Sequence, residues 1–161
     1  MYKRQRLGAI PDYARELYPA LCDAVGELHA GFAIAGETSA PVIHRDLKPS
    51  NIIVTGANYT PDDGLTFSSL VIIDLGIARV WRDGADADTV KFGTRPYAPP
   101  EQYGFGQTSV RSDVYALGAL LFFCLTGLDP KPGLDMREQC EMRGVPAPLA
   151  DVICMAMALD P

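Results

Sequence analysis

The residues with the clearest chemical potential lie in one short segment, residues 44–51, which reads HRDLKPSN. Asp46 is a carboxylate that can orient a hydroxyl group or accept its proton, and Lys48 is a compact positive charge suited to phosphate. Asn51 offers an amide oxygen, a hard ligand of the kind that Mg²⁺ prefers. Phosphoryl transfer is one reaction that uses a base, a cation and a metal ligand together.

A second carboxylate belongs with this segment. The β-type run 70–73 ends directly on Asp74, and the turn-rich stretch 55–69 joins that run to residues 52–54 as a long hairpin. Asp74 and Asn51 are therefore expected to act together as ligands of Mg²⁺. The tripeptide Asp-Leu-Gly is common by itself. Its position one hairpin after Asn51 supports a functional interpretation of Asp74.

The elements that position these residues are mostly helical. Asp12–Ala30 carries apolar residues on one face and predicts a helix that either kinks at Pro19 or begins its regular part there. Residues 110–128 predict a buried helix with Ser112 or Asp113 as its N-cap.

Short strands and loops complete the pattern. Val42–Ile43 and residues 52–54 are β-type runs on either side of the charged segment, and residues 149–159 predict a last helix. Three stretches lack periodicity and predict loops or irregular surface segments: 31–41, 79–91 and 130–146. The fold class is α+β, mainly α-helical, with short β-hairpins next to the charged segment.

Composition narrows the function classes. The 161 residues suit one domain, and the net charge of -6 argues against a nucleic-acid partner or an anionic membrane surface. The four cysteines are scattered without a Cys-x-x-Cys pair, which favours thiols in a reducing compartment. The longest apolar run, 114–128, is too short to span a membrane, and no signal peptide is evident. These features predict a cytoplasmic location, with any membrane tether outside the chain.

Residues 12–161 resemble the C-terminal lobe of a protein kinase. Segment 44–51 matches the family pattern H-R-D-L-K-P-x-N in its serine/threonine form, and Asp74-Leu75-Gly76 is similar to D-F-G with Leu in place of Phe. Residues 93–101 resemble the segment that ends in A-P-E, and residues 113–118 resemble the D-x-x-x-x-G helix start. The residues that occupy these motifs are similar to those of bacterial kinases.

The resemblance implies a role for each matching residue. Asp46 would be the catalytic base, Lys48 would contact the γ-phosphate of ATP, Asn51 and Asp74 would bind Mg²⁺, and Ile53 would line the adenine site.

Further residues would have supporting roles. Thr94 would hydrogen-bond near the base and the lysine, and Asp113 would brace the backbone of the catalytic loop. Glu101 would pair with an arginine beyond the last helix, so fraying or solvent exposure is expected there. Arg45 implies docking of a phosphorylated loop, with Thr89 as the leading acceptor.

The resemblance also implies an incomplete domain. We expect residues 1–5 to be a non-native leader and residues 6–161 to be a partial kinase domain, truncated at both ends and without its N-terminal lobe, because only 43 residues precede His44. The intact parent protein would be a serine/threonine kinase that uses ATP and Mg²⁺ on protein substrates, and the isolated chain would be inactive. A pseudokinase or scaffold module is the alternative. A small-molecule phosphotransferase is disfavoured by residues 47–49 and 93–101.

Overall fold

The described part of the chain is mainly helical and contains four two-stranded antiparallel sheets. The computed structural model describes residues 12–31, 33–34, 37–38, 40–60, 64–80, 93–104 and 106–158. The helices are α1 (Asp12–Ala30), α2 (Val110–Thr126), α3 (Met136–Met142) and α4 (Ala147–Ala156). The strands are β1 (Ala33–Ile34), β2 (Glu37–Thr38), β3 (Val42–Ile43), β4 (Ile52–Thr55), β5 (Asn58–Thr60), β6 (Gly64–Thr66), β7 (Ser69–Ile72) and β8 (Arg79–Val80).

Helix α1 has the predicted bounds and continues through Pro19 as one helix. Its buried side chains recur at helical spacing and face the core: Ala14, Leu21 and Val25. The hydroxyl of Tyr18 donates to the Leu117 carbonyl of α2 at 3.0 Å, and burial raises the pKa of this phenol. Apolar burial and this inter-helix hydrogen bond thus both help to hold helix α1 against α2.

Helix α2 is the central element of the core, and its start differs from the prediction. Ser109 is the N-cap, and it forms a capping box with Ser112, which lies at the third helical position. Asp113 lies inside the helix and is fully buried. The helix ends at Gly127, whose positive φ of 71° allows the left-handed cap.

Helices α3 and α4 pack beside α2 and close the core. Residues 130–146 were expected to be irregular, but they contain α3, whose N-cap Asp135 accepts a hydrogen bond from the Glu138 amide at 3.0 Å. The apolar core is shared by all four helices and part of the charged segment: Leu21, Val25, Leu47, Tyr97, Ala116, Ala119, Leu120, Leu121, Phe122, Cys140, Ala150, Ile153 and Met157.

The sheets are small, and two of them frame the charged segment. Strand β4 pairs with β7 in the register Ile52↔Ile72, and β5 and β6 extend the same hairpin outward. Strand β3 pairs with β8. Two stretches expected to lack regular structure contain strands: β1 and β2 pair within 31–41, and β8 begins the stretch 79–91. Isolated two-residue strands leave almost no periodic signal in a sequence.

The close approach of α2 and α4 depends on one glycine and gives a testable prediction. A Cβ atom at Gly118 would lie 2.8 Å from the Ala156 Cβ and 2.9 Å from the Met157 Cγ. Gly118→Ala is therefore expected to lower the free energy of unfolding by about 1–3 kcal/mol, as overpacking does. Gly26→Ala on α1 is the matched control, because no described atom beyond its own chain neighbours and local helix backbone lies within 4 Å of its new methyl group. The control should stabilise the chain by up to about 1 kcal/mol in urea titrations; equal effects of the two substitutions would contradict the packing argument.

Candidate active site

The charged segment 44–51 crosses from β3 to β4 over the N-terminal part of α2. Asp113 of α2 is 0% exposed and fixes the backbone of this segment. Its Oδ2 accepts the His44 amide at 2.8 Å, and its Oδ1 accepts the Arg45 amide at 2.9 Å. Two charge-assisted bonds to adjacent amides fix both the position and the direction of the chain where it enters the site.

Arg45 takes a left-handed backbone conformation, with φ 71°. This conformation costs a non-glycine residue about 1–2 kcal/mol. Its amide is held by Asp113, and its carbonyl accepts a bond from the Gln102 side chain at 2.7 Å. Gln102 is only 2% exposed. Packed groups on both sides therefore maintain the turn that directs the next residue, Asp46, into the site.

Asp46, Lys48 and Thr94 form a closed hydrogen-bonded set. Lys48 Nζ lies 2.7 Å from Asp46 Oδ2 and 3.0 Å from Thr94 Oγ1, and the Thr94 hydroxyl also lies 3.0 Å from Asp46 Oδ1. Both carboxylate oxygens are thus oriented by neighbours 2 and 48 residues away in the chain. The cation lies beside the carboxylate, where it can also neutralise a phosphate.

Asn51 contacts the same carboxylate through one end of its amide. Its Nδ2 donates to the Asp46 carbonyl at 2.8 Å and to Asp46 Oδ2 at 3.1 Å. No described residue hydrogen-bonds to the side-chain oxygen of Asn51, which lies on the other side of the amide group from Nδ2. This orientation presents the oxygen, the atom that a hard cation needs.

Asp74 lies two residues after the end of β7, beside the start of β4. The Ile73 amide donates to the Asn51 carbonyl at 2.9 Å, so Asp74 comes one residue after the partner of Asn51. Asp74 is exposed and has a φ of 66°. It and Arg45 are the two non-glycine residues with positive φ among those described. Both of these sparsely populated backbone conformations thus lie in this one site.

The donor set fits magnesium better than zinc. Within the described residues, no group of three or more His, Cys, Asp or Glu side chains could hold a metal ion. Asn51 and Asp74 instead offer one amide oxygen and one carboxylate. Mg²⁺ is commonly bound by one or two protein oxygens together with water and substrate phosphates.

The His44 ring connects the two halves of the site. His44 is fully buried, and its Nδ1 lies 3.3 Å from the Asp46 amide, which donates to it. Its Nε2 lies 3.1 Å from the Ile73 carbonyl. Since Nδ1 accepts, Nε2 carries the proton and donates. The ring therefore couples the backbone at Asp46 to the residue before Asp74.

Ile53 lies on the outer face of the β4–β7 hairpin, directly opposite Val71. The two side chains are 45% and 46% exposed, which makes an apolar platform beside the charged residues. A separate apolar cavity of about 510 Å³ lies behind this hairpin, between α1 and α2, and includes Tyr18 and Cys124. Burial raises the pKa of the Cys124 thiol to about 11, so it is protonated at neutral pH.

The expectation for Glu101 is wrong, and the expectation for Thr89 is not tested. Glu101 is neither frayed nor solvent-exposed: it is half-buried in the helical turn Pro100–Tyr103, and its Oε1 accepts a 2.8 Å bond from the Ser112 hydroxyl. A partner 11 residues away satisfies the carboxylate without an arginine. Thr89 lies outside the described residues, so its phosphorylation stays a prediction.

Sequence reasoning missed two residues that support the site. His29, in the last turn of α1, places its Nε2 2.9 Å from Asp113 Oδ2. The second is Gln102, which holds the Arg45 carbonyl. The chain has two histidines, and both reach Asp113, one through its ring and the other through its amide. Histidine is thus rare in this chain, and His29 lies at the end of the helix that precedes the charged segment. These two facts were the sequence signal that could have identified it.

Comparisons with known proteins give the family of this chain. Residues 8–147 match the protein kinase domain, and the chain belongs to that family. It is 34% identical to serine/threonine-protein kinase A of Synechocystis over 111 residues, 68% of this chain and 20% of that protein. It is 37% identical to PknB of Mycobacterium tuberculosis over 95 residues, 57% of this chain and 14% of PknB.

A third relative, pkn3 of Myxococcus xanthus, is 39% identical over 103 residues, 61% of this chain and 18% of the relative. The chain thus spans a fifth or less of the length of these curated relatives, all of them bacterial serine/threonine kinases. The bacterial serine/threonine kinase resemblance stated from the motifs is confirmed. Among the described residues, no helix has both the length and the apolar character needed to cross a membrane.

Proposed function

We propose that this chain is the C-terminal lobe of a serine/threonine protein kinase whose intact parent protein transfers the γ-phosphoryl group of ATP to protein hydroxyl groups. The observation that carries the proposal is the hydrogen-bonded set of Asp46, Lys48 and Thr94, with Asn51 on the same carboxylate. A scaffold lobe has no physical need to fix a carboxylate, a cation and an amide at bonding distance.

In this proposal each side chain has one task. Asp46, held by Thr94 at one oxygen, orients the acceptor hydroxyl and takes its proton. The hydroxyl oxygen bonds to the γ-phosphorus of ATP while the bond from that phosphorus to the bridging oxygen breaks and ADP leaves. Lys48 neutralises charge on the transferred group. Asn51 and Asp74 would hold Mg²⁺, which supplies charge neutralisation at the phosphates.

The nucleotide would rest on the apolar platform of Ile53 and Val71. Both side chains are nearly half-exposed, as expected for a surface completed by a second body. An N-terminal lobe above this platform would enclose the adenine and position the phosphates. Positioning of this kind contributes a large share of catalysis, because it makes the reaction effectively unimolecular.

The isolated chain is therefore expected to be inactive. Purified residues 1–161, incubated with radiolabelled ATP, Mg²⁺ and a mixed protein substrate, should give no more phosphoserine or phosphothreonine than a protein-free control. The intact parent protein should give both under the same conditions. Transfer by the isolated chain that Asp46→Asn abolishes would contradict the requirement for a second lobe. Absence of transfer by the intact parent would overturn the proposed function itself.

A further inference from the structure

A positive charge that no described residue pairs lies next to the residues that fix the proposed catalytic carboxylate. Arg95 directly follows Thr94, its side chain is exposed, and no described residue forms a hydrogen bond or an ion pair with it. Lys48, by contrast, is already paired with Asp46 at 2.7 Å. Arg95 is thus a cation available to a group arriving from solvent.

The charge of Arg95 reaches the interior of the site. Burial raises the pKa of the Tyr103 phenol, the Arg95 guanidinium opposes that rise, and the Asp46 carboxylate adds to it. Both charges therefore act on one phenol, whose hydroxyl is buried without a hydrogen-bond partner. Tyr103 ends the helical turn Pro100–Tyr103, in which Gln102 holds the Arg45 carbonyl. Arg95 and Asp46 consequently share one electrostatic environment.

We propose that Arg95 is a specificity-determining residue that selects protein substrates with Asp or Glu beside the acceptor Ser or Thr. The inference rests on the proposed function, in which the acceptor hydroxyl lies at Asp46. Since Thr94 bonds to that carboxylate and consecutive Cα atoms are about 3.8 Å apart, Arg95 falls within one or two substrate residues of the acceptor. A guanidinium group binds a carboxylate with two parallel hydrogen bonds.

The overall charge of the chain makes a local cation necessary for such selection. At a net charge of -6, acidic peptides are disfavoured by the long-range field, so their selection needs a positive group at the point of contact. The preference for acidic peptides should weaken as salt is added, because the pair lies at the surface.

The test compares a charge reversal with a matched control. Two peptides are needed, identical except for Glu or Lys on both sides of the acceptor Ser. The intact parent protein should favour the Glu peptide by about fivefold in kcat/KM, the size expected of an exposed ion pair. Arg95→Glu should invert that preference, and Arg95→Ala should remove it. Arg15→Glu should change nothing, because Arg15 is exposed and lies about 21 Å along α1 from His29.

A second measurement does not depend on phosphoryl transfer. Both peptides, with Ala in place of the acceptor Ser and a fluorescent label, are titrated with the 161-residue chain and its variants, and anisotropy is measured. Binding that favours Glu only when Arg95 is present supports the inference, even if the intact parent phosphorylates nothing, which would overturn the proposed function alone. Phosphorylation without an acidic preference, or with one that Arg95→Glu leaves intact, overturns the inference and leaves the proposed function standing.

Discussion

Asp46→Asn in the intact parent protein is expected to lower the rate of substrate phosphorylation by about 10²–10⁴-fold, the usual contribution of a general base. The amide keeps the shape of the carboxylate but removes the charge and one acceptor oxygen. Of the three donors now on that group, Thr94 binds Oδ1 while Lys48 and Asn51 share Oδ2. The variant therefore loses both the proton acceptor and the partner that holds Lys48. Initial rates with radiolabelled ATP and a protein substrate measure the effect.

The same substitution at a distant carboxylate provides the control. Asp151 is exposed on α4, where it pairs with Arg137. Exposed ion pairs contribute little, so Asp151→Asn should leave the rate unchanged. If the Asp46 variant keeps more than about a tenth of the rate, Asp46 is not the base. The alternative of a pseudokinase or scaffold module is then favoured. Binding of MgATP should be similar in all three proteins, because the loss concerns the transfer step.

The proximity of the candidate site residues could be predicted from sequence because they are close together in the chain. Asp46, Lys48 and Asn51 fall within six residues, and β4 and β7 bring Asp74 beside them through one hairpin. Their chemical roles follow from the kinase resemblance and stay a prediction. The bounds of α1 were likewise predictable, because 19 residues give several repeats of the helical period.

The errors arose where a residue type had more than one use. Ser109, Ser112 and Asp113 are all good N-caps, and capping preferences alone do not decide among them. The bond from Asp113 to the backbone of the charged segment was expected only from the kinase resemblance. The carboxylate of Glu101 finds a hydroxyl at Ser112 that only the tertiary fold brings near. Helix α3 has seven residues, too few for a periodic signal.

Asp113→Ala should be the most destabilising single change in the site. It would leave the amides of His44 and Arg45 buried without acceptors, and the ring of His29 without its carboxylate. Each unsatisfied buried group costs about 1–3 kcal/mol, so a total of about 3 kcal/mol or more is expected. For a chain of this size such a loss lowers Tm by roughly 6–12 °C. Differential scanning calorimetry of the 161-residue chain measures the shift.

Two further variants separate the parts of this effect. His29→Ala should cost clearly less than Asp113→Ala, because both amide bonds to Asp113 remain. Asp113→Asn keeps one acceptor oxygen, so its Tm should fall between that of the unchanged chain and that of the alanine variant. Asp151→Ala on the exposed face of α4 should leave the transition unchanged. If the Tm of Asp113→Ala equals that of the Asp151→Ala control, the Asp113 carboxylate does not hold the charged segment in place. The left-handed turn at Arg45 would then be maintained by other contacts, among them the bond from Gln102 to the Arg45 carbonyl.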